Sequence, residues 1–302
     1  MAWTWQRSTS LNTALNNSAS QVYQHPGLLL DRFAPQEAFG TGKRDWLAAI
    51  TQVGLDRDLL QVQRKRWQET VAPSLFDSVP LLRLQTASRL VVGLGAEHAL
   101  KTAITLDRNS GAPVIPGSAL KGVARTFALI GIAQQLQFSD QQIETGLNTL
   151  DNWLSGAEIK WEALETYGST KLNQEQVDTL VQWIETFRNV FGYVGGVGRS
   201  IFFNAIYAGN SNPFEVDVMT PHFGKYYIEY VAPSDDQNPV PVPYLVVREN
   251  LTFLFAVGAK TAFDVQIAKQ ARFWLREGLI TYGVGAKTAQ GYGIFQKLPQ
   301  KG

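Results

Sequence analysis

The sequence predicts an α+β fold: a β-α-β-β-α-β core with a helical extension before it and a helical insertion within it. Three observations predict it. Several short runs alternate apolar and polar residues, as half-buried strands do. Two longer segments place apolar residues at helical spacing. The order in which these segments follow one another completes the pattern. The extension covers residues 1–80, packed on the core, and the core domain covers 81–302 with the insertion at about 139–190.

Taken in order, residues 1–20 lack a basic start followed by an apolar run, so no signal peptide is expected. His25, Pro26 and Gly27 read as a loop. One helix is predicted over 45–69, where Trp46, Ile50, Val53 and Leu60 fall near helical spacing and Pro73 and Pro80 bracket the exit. The first core strand spans 81–93, with Leu82, Leu84, Thr86, Leu90 and Val92 on a near two-residue period. Pro116, Gly117 and Ser118 signal a helix start, and the helix is predicted over 118–136. A polar, mostly helical stretch over 139–189, flanked by Gly and Asn, reads as the insertion. Strands are predicted over 199–208 and 244–257. A helix over 261–282 carries Phe263, Ile267, Ala271, Trp274 and Leu275 on one face, and a last strand spans 292–298. This is the order of the ferredoxin-like fold, shared by the RNA-recognition motif (RRM).

Composition narrows the function classes. Of 302 residues, 45% are hydrophobic and 18% charged, the balance of a folded chain. A chain of this length buries a core without disulfides. It has no cysteine, which excludes disulfides and thiolate metal sites and suits the cytoplasm. The longest apolar runs, such as 251–258, are too short to span a bilayer. Net charge is +1, from 27 basic and 26 acidic residues, so nucleic acid would not be held by bulk electrostatics. Any RNA contact must come from a few well-placed cations. The 26 glycines are more telling, because they are bunched.

Four constellations could carry chemistry. The first is Gly111-Ala-Pro-Val-Ile-Pro-Gly-Ser-Ala-Leu-Lys-Gly-Val-Ala-Arg125. Gly117 and Ser118 open a helix, whose free N–H groups and dipole favour an anion. Lys121 and Arg125 are four apart, on one helical face. A phosphate fits this set; the alternative is a Ser N-cap with two solvated basic residues. The second is Tyr282-Gly-Val-Gly-Ala-Lys-Thr-Ala-Gln-Gly-Tyr-Gly293, where Gly285, Gly291, Lys287 and Thr288 suit close approach to a phosphodiester backbone. It runs from helix to strand, the reverse of a dinucleotide fingerprint, and the alternative is a connection that closes the fold. The third, Phe191-Gly-Tyr-Val-Gly-Gly-Val-Gly-Arg-Ser200, ends on Arg199; such runs also mark bends and bulges. The fourth is a polar loop, Asp217-Val-Met-Thr-Pro-His-Phe-Gly-Lys-Tyr-Tyr227, where His222 suits contact with RNA or a neighbouring subunit. With three histidines and no cysteine, a metal site is poorly supplied. No metal and no cofactor are expected. Arg64, Lys65 and Arg66 form a basic triplet at a helix end, read as a solvated face.

Two of these stretches resemble a known family. The Pro-x-Ile-Pro-Gly-Ser-x-Leu-Lys-Gly pattern from Pro113 to Gly122 is similar to the motif shared by RAMP proteins of CRISPR systems. The late run over 283–293 resembles their glycine-rich loop. The segments at 221–227 and 27–31 resemble the branch that supplies the sixth subunit of the Cmr (type III-B) assembly. The resemblance covers about residue 25 to the C-terminus. It implies an RRM-like RAMP fold in a multi-subunit ribonucleoprotein of antiviral defence, with CRISPR RNA, target RNA and the backbone, small and neighbouring RAMP subunits as partners. It implies RNA contact at Gly117, Ser118, Lys121, Arg125, Gly285, Lys287, Thr288 and Gly291. Ala119 stands where a second serine is common.

An RRM stacks bases on sheet aromatics, but strand alternation predicts that Phe202, Phe203, Phe253 and Phe255 serve the core. Backbone recognition through the glycine loops is therefore expected. The leading reading is a structural RNA-binding subunit without chemistry of its own. The alternatives are a ribonuclease using Asp31, Asp107 or His222, and a pure protein-assembly subunit.

Overall fold

A computed structural model describes residues 25–76, 79–156, 166–167, 170–220 and 241–299. His222 and the segment 221–227 lie outside these residues, as does the stretch 1–24. The chain forms two compact units, both discontinuous in sequence. The first comprises Met1–Gln63, Gly93–Pro113 and Asn210–Val247; the second comprises Arg64–Val92, Val114–Gly209 and Arg248–Gly302.

In the first unit, His25 begins a helix rather than a loop. α1 (Pro26–Asp31) has proline in its first turn, and the Leu28 N–H donates to His25 Nδ1 at 3.0 Å. The other ring nitrogen, Nε2, donates to the Arg108 carbonyl at 2.9 Å. The single helix predicted over 45–69 is two: α2 (Lys43–Ile50) and α3 (Arg57–Val71), the latter continuing into the second unit. Gly54 lies in the break, and Asp56 restarts the helix by accepting from the N–H groups of Asp58 and Leu59, both at 3.0 Å. The predicted polar loop at Asp217 is a strand. β9 (Phe214–Met219) pairs antiparallel with β10 (Val242–Val247), and Asp217 stands opposite Tyr244. α2 packs on this pair. Leu30, Leu47, Ile50, Phe214, Tyr244 and Val246 are buried here.

The second unit holds a five-stranded sheet. Its strands are β1 (Leu82–Thr86), β2 (Val114–Ile115), β8 (Ala205–Tyr207), β11 (Thr252–Phe255) and β13 (Phe295–Lys297), in the order β13-β1-β11-β8-β2. Every pairing is antiparallel. β1 is shorter than predicted: Thr86 turns its hydroxyl onto the Arg248 carbonyl at 2.9 Å, and Leu90 makes only a lone bridge. The strand predicted over 199–208 is broken at Phe203 and Asn204 into β7 (Ser200–Phe202) and β8. That over 244–257 is broken by a turn, with Asn250 at φ 61°, and by Ala256, into β10, β11 and β12 (Val257–Ala259). β7 and β12 form a separate ribbon.

Two helices pack along each other, α4 (Gly117–Gln135) and α7 (Val265–Thr281). Period-two alternation puts Leu82, Leu84, Tyr207, Phe253, Phe255 and Phe295 on one buried face of the sheet. Burying each such aromatic stabilises the fold by about 1.5–3 kcal/mol. Phe253 and Phe255 therefore belong to the core, as alternation predicts, while Phe202 and Phe203 are half-buried. The insertion supplies α5 (Asp140–Ser155) and α6 (Gln174–Phe191). Each opens with a capping box, Ser139 with Gln142 and Asn173 with Gln176. Two short hairpins flank α6: β3 (Thr166–Tyr167) with β4 (Thr170–Lys171), and β5 (Gly192–Tyr193) with β6 (Gly196–Val197). α6 stacks Phe191 on Trp274 of α7 at 5.5 Å. Phe263 departs from the predicted helical face. It sits in a 3-10 turn before α7 and is 97% exposed. No described helix is long and apolar enough to cross a membrane.

Candidate nucleic-acid interface

The start of α4 is built by close packing. Gly117 is the first helical residue, so Ser118 is not the N-cap, and its side chain caps nothing. Pro116 precedes the helix, and the Gly117 N–H donates instead to Asn204 Oδ1 at 2.8 Å. A Cβ at Gly117 would collide with the Phe202 carbonyl oxygen. Glycine is needed there because the helix start lies directly against the break between β7 and β8. Ser118 is exposed beside it.

Lys121 follows one turn later. Burial lowers its pKa, and the charges of Arg125 and Lys260 lower it further. Among the described residues, neither Lys121 nor Lys260 meets a carboxylate. Arg125 is different. It is ion-paired to Asp151 of α5, and its guanidinium lies 5.3 Å from the centre of the Phe187 ring. Arg199 pairs with Asp264 at 3.4 Å, and its carbonyl accepts from the Lys260 N–H at 3.2 Å. Gly117, Ser118, Lys121 and Arg125 thus gather with Lys260, and Arg199 joins them through the β7–β12 ribbon. Sequence reasoning missed Lys260 and Asn204. No motif marks either, since both gain their place from the break between β7 and β8 and the pairing of the ribbon.

The glycine-rich loop is built separately, against residues 89–91. Gly293 donates to the Arg89 carbonyl at 2.7 Å, and Ala286 to the Val91 carbonyl at 2.8 Å. Gly283, Gly285 and Gly293 have φ of 72°, 98° and 74°, and a Cβ at any of them would meet backbone. Gly291, at φ 85°, faces open space. Lys287 has φ 64°, donates to Gln290 Oε1 at 3.2 Å and lies 5.6 Å from the centre of the Tyr292 ring. Thr288 begins the short turn that follows.

The carboxylates are structurally engaged. Asp107 Oδ1 accepts from the N–H groups of Asn109 and Ser110 and from the Ser110 hydroxyl, at 2.9–3.0 Å. Asp31 Oδ1 lies 3.1 Å from His98 Nε2. Arg64 sits within α3, not at a helix end, and donates to the Ala208 carbonyl at 2.6 Å. Among the described residues no three His, Asp or Glu side chains cluster to hold a metal.

Comparison with known proteins decides the family. The model of the RAMP superfamily matches residues 83–296, well over half of the chain. The chain belongs to the RAMP superfamily. Among RAMP proteins it is similar to the CRISPR system Cmr subunit Cmr6 of Pyrococcus furiosus, 30% identical over 268 residues, which is 80% of this chain and 75% of that subunit. A chain in the cryo-EM structure of the type III-B Cmr-beta bound to cognate target RNA shares this chain's fold at a TM-score of 0.53 and 18% identity, over 95% of this chain and 88% of that one. The crystal structure of Cmr6 from Pyrococcus furiosus aligns at a TM-score of 0.48 and 29% identity, over 73% of this chain and 97% of that one.

Proposed function

We propose that this RAMP protein is a structural RNA-binding subunit of a type III CRISPR ribonucleoprotein, contacting guide and target RNA and adjacent subunits in cytoplasmic antiviral defence. It is a subunit without chemistry of its own. The observation that carries this reading is the cationic cluster at the start of α4. Lys121 and Lys260 stand close enough to repel each other, with no carboxylate against either among the described residues, beside the amino end of a 19-residue helix. Such an arrangement costs stability in the free protein and is relieved by a phosphate. The similarity to Cmr6 and to a chain of an RNA-bound Cmr assembly supports the same reading. We take Gly117, Ser118 and Lys121 as the first RNA contacts, with Arg125 and Arg199 adding to the local potential. Gly285, Lys287, Thr288 and Gly291 form the second set, and His222 a further contact.

The fold proposed for the second unit is ferredoxin-like. The order β13-β1-β11-β8 with antiparallel pairing supports it, because it corresponds to fourth, first, third and second strand of the β-α-β-β-α-β order. In domain terms, residues 1–80 act as an extension and 139–190 as an insertion in the 81–302 domain. The non-catalytic reading is supported by the hydrogen bonds that occupy Asp107 and Asp31.

The test is guide-RNA crosslinking in the co-expressed complex. Lys121→Glu with Lys287→Glu is expected to remove crosslinks at this subunit while the complex still assembles, and Asp107→Ala to leave target cleavage intact. Unchanged crosslinking in the double variant would leave protein assembly as the chain's role.

A further inference from the structure

Phe263 is the most exposed large apolar side chain among the described residues, at 97%. Its position is fixed rather than incidental. The Thr261 hydroxyl donates to Asp264 Oδ2 at 2.7 Å, the Asp264 N–H donates to the Thr261 carbonyl at 3.0 Å, and Arg199 holds Asp264 Oδ1 at 3.4 Å. The Asp264 side chain is buried by these contacts. The turn therefore holds a bare aromatic ring outward on a rigid base.

Its surroundings are cationic. Lys260 lies three residues earlier, within roughly 10 Å by chain length. The Lys260 charge in turn helps to lower the Lys121 pKa, and the Lys260 N–H donates to the Arg199 carbonyl at 3.2 Å. Among the described residues, counting Lys121, Arg125, Lys260 and Arg199 against Asp151 and Asp264, the local excess is two positive charges. An exposed aromatic beside lysines that meet no carboxylate among the described residues is the arrangement that single-stranded nucleic acid selects: the ring takes a base face and the lysines take phosphates. Val197, 85% exposed two residues before Arg199, offers apolar area to a protein as well. The positive excess among the described residues favours RNA.

We infer that Phe263 is a stacking platform for one base of a single-stranded RNA whose phosphates are held by Lys260 and Lys121. This rests on the RNA-binding reading above and adds an aromatic contact to it. Stacking tolerates any base, so the platform would hold the strand without reading its sequence.

The experiment measures binding of the full chain to fluorescein-labelled oligoadenosine RNA and to an abasic strand of equal length, with melting temperatures as the folding control. Phe263→Ala is expected to weaken oligoadenosine binding about tenfold. Phe263→Trp is expected to keep it, and the abasic strand should bind wild type and Phe263→Ala alike. Wild-type affinity in Phe263→Ala overturns the inference. If that variant instead fails to co-purify with co-expressed subunits, the ring is a protein contact. If wild type binds neither strand, the RNA-binding reading itself fails, and the platform with it.

Discussion

At the start of α4, one glycine brings a helix against the Phe202 carbonyl, and among the described residues Lys121 one turn later meets no carboxylate. In the loop before β13, three glycines bring backbone against backbone, and Lys287 is drawn onto Gln290 and Tyr292. Both regions read alike in sequence, as glycines beside a lysine. In the first, glycine lets the helix start lie against the break between β7 and β8, one turn before Lys121. In the second, most of the glycine content closes the fold, and only Gly291 faces open space. A glycine-rich loop thus says where backbone comes close, and its neighbours say to what.

The sharpest way to break this comparison is to add a methyl group in each class of position. Gly293→Ala would drive Cβ into the Val284 carbonyl at a positive φ, and a loss of about 3 kcal/mol or more is expected in chemical denaturation. Gly291→Ala meets only the conformational cost, about 1–2 kcal/mol. Equal losses at both positions would mean that the loop is not packed as described. A smaller effect separates the α4 start from the loop. Asn204→Ala removes the acceptor for the Gly117 N–H and should cost about 1 kcal/mol in the same assay.

The smallest effect concerns Lys121. Its pKa is lowered, first by burial and then by Arg125 and Lys260, so the unfolded chain binds this proton more tightly. Stability attributable to this group therefore rises as pH climbs through the range just below the ordinary lysine value. Lys121→Met should abolish that rise and lift the melting temperature by about 1–2 °C at neutral pH. The same variant should bind RNA more weakly. A lower melting temperature would show that the lysine is stabilised by its surroundings.

Much of this was legible in sequence. The alternation of Leu82, Leu84 and Thr86 and of Phe253 and Phe255 located two sheet strands and their buried face, because a two-residue period has one physical meaning. The Pro116-Gly117 signal placed α4 to within one residue. Breaks were harder. Gly54 and Asp56 split a helix that apolar spacing alone runs together. Phe203 and Asn204 split a strand whose composition is continuous. Phe263 shares the spacing of the α7 core face yet precedes the helix, where a 3-10 turn points it elsewhere. The cluster itself was half legible: Lys121 and Arg125 belong to one motif, but Lys260 joins them only through strand pairing.

The pairing of Arg125 with Asp151 has one more consequence. Asp151 belongs to the insertion, so a segment outside the sheet sets how many cations α4 offers a polyanion. Of two basic residues on one helical face, one is already neutralised before any strand arrives. A chain of this family lacking that aspartate would shed one more counterion on binding a single strand, and its affinity would fall more steeply with salt, by about 0.7 in the log–log slope.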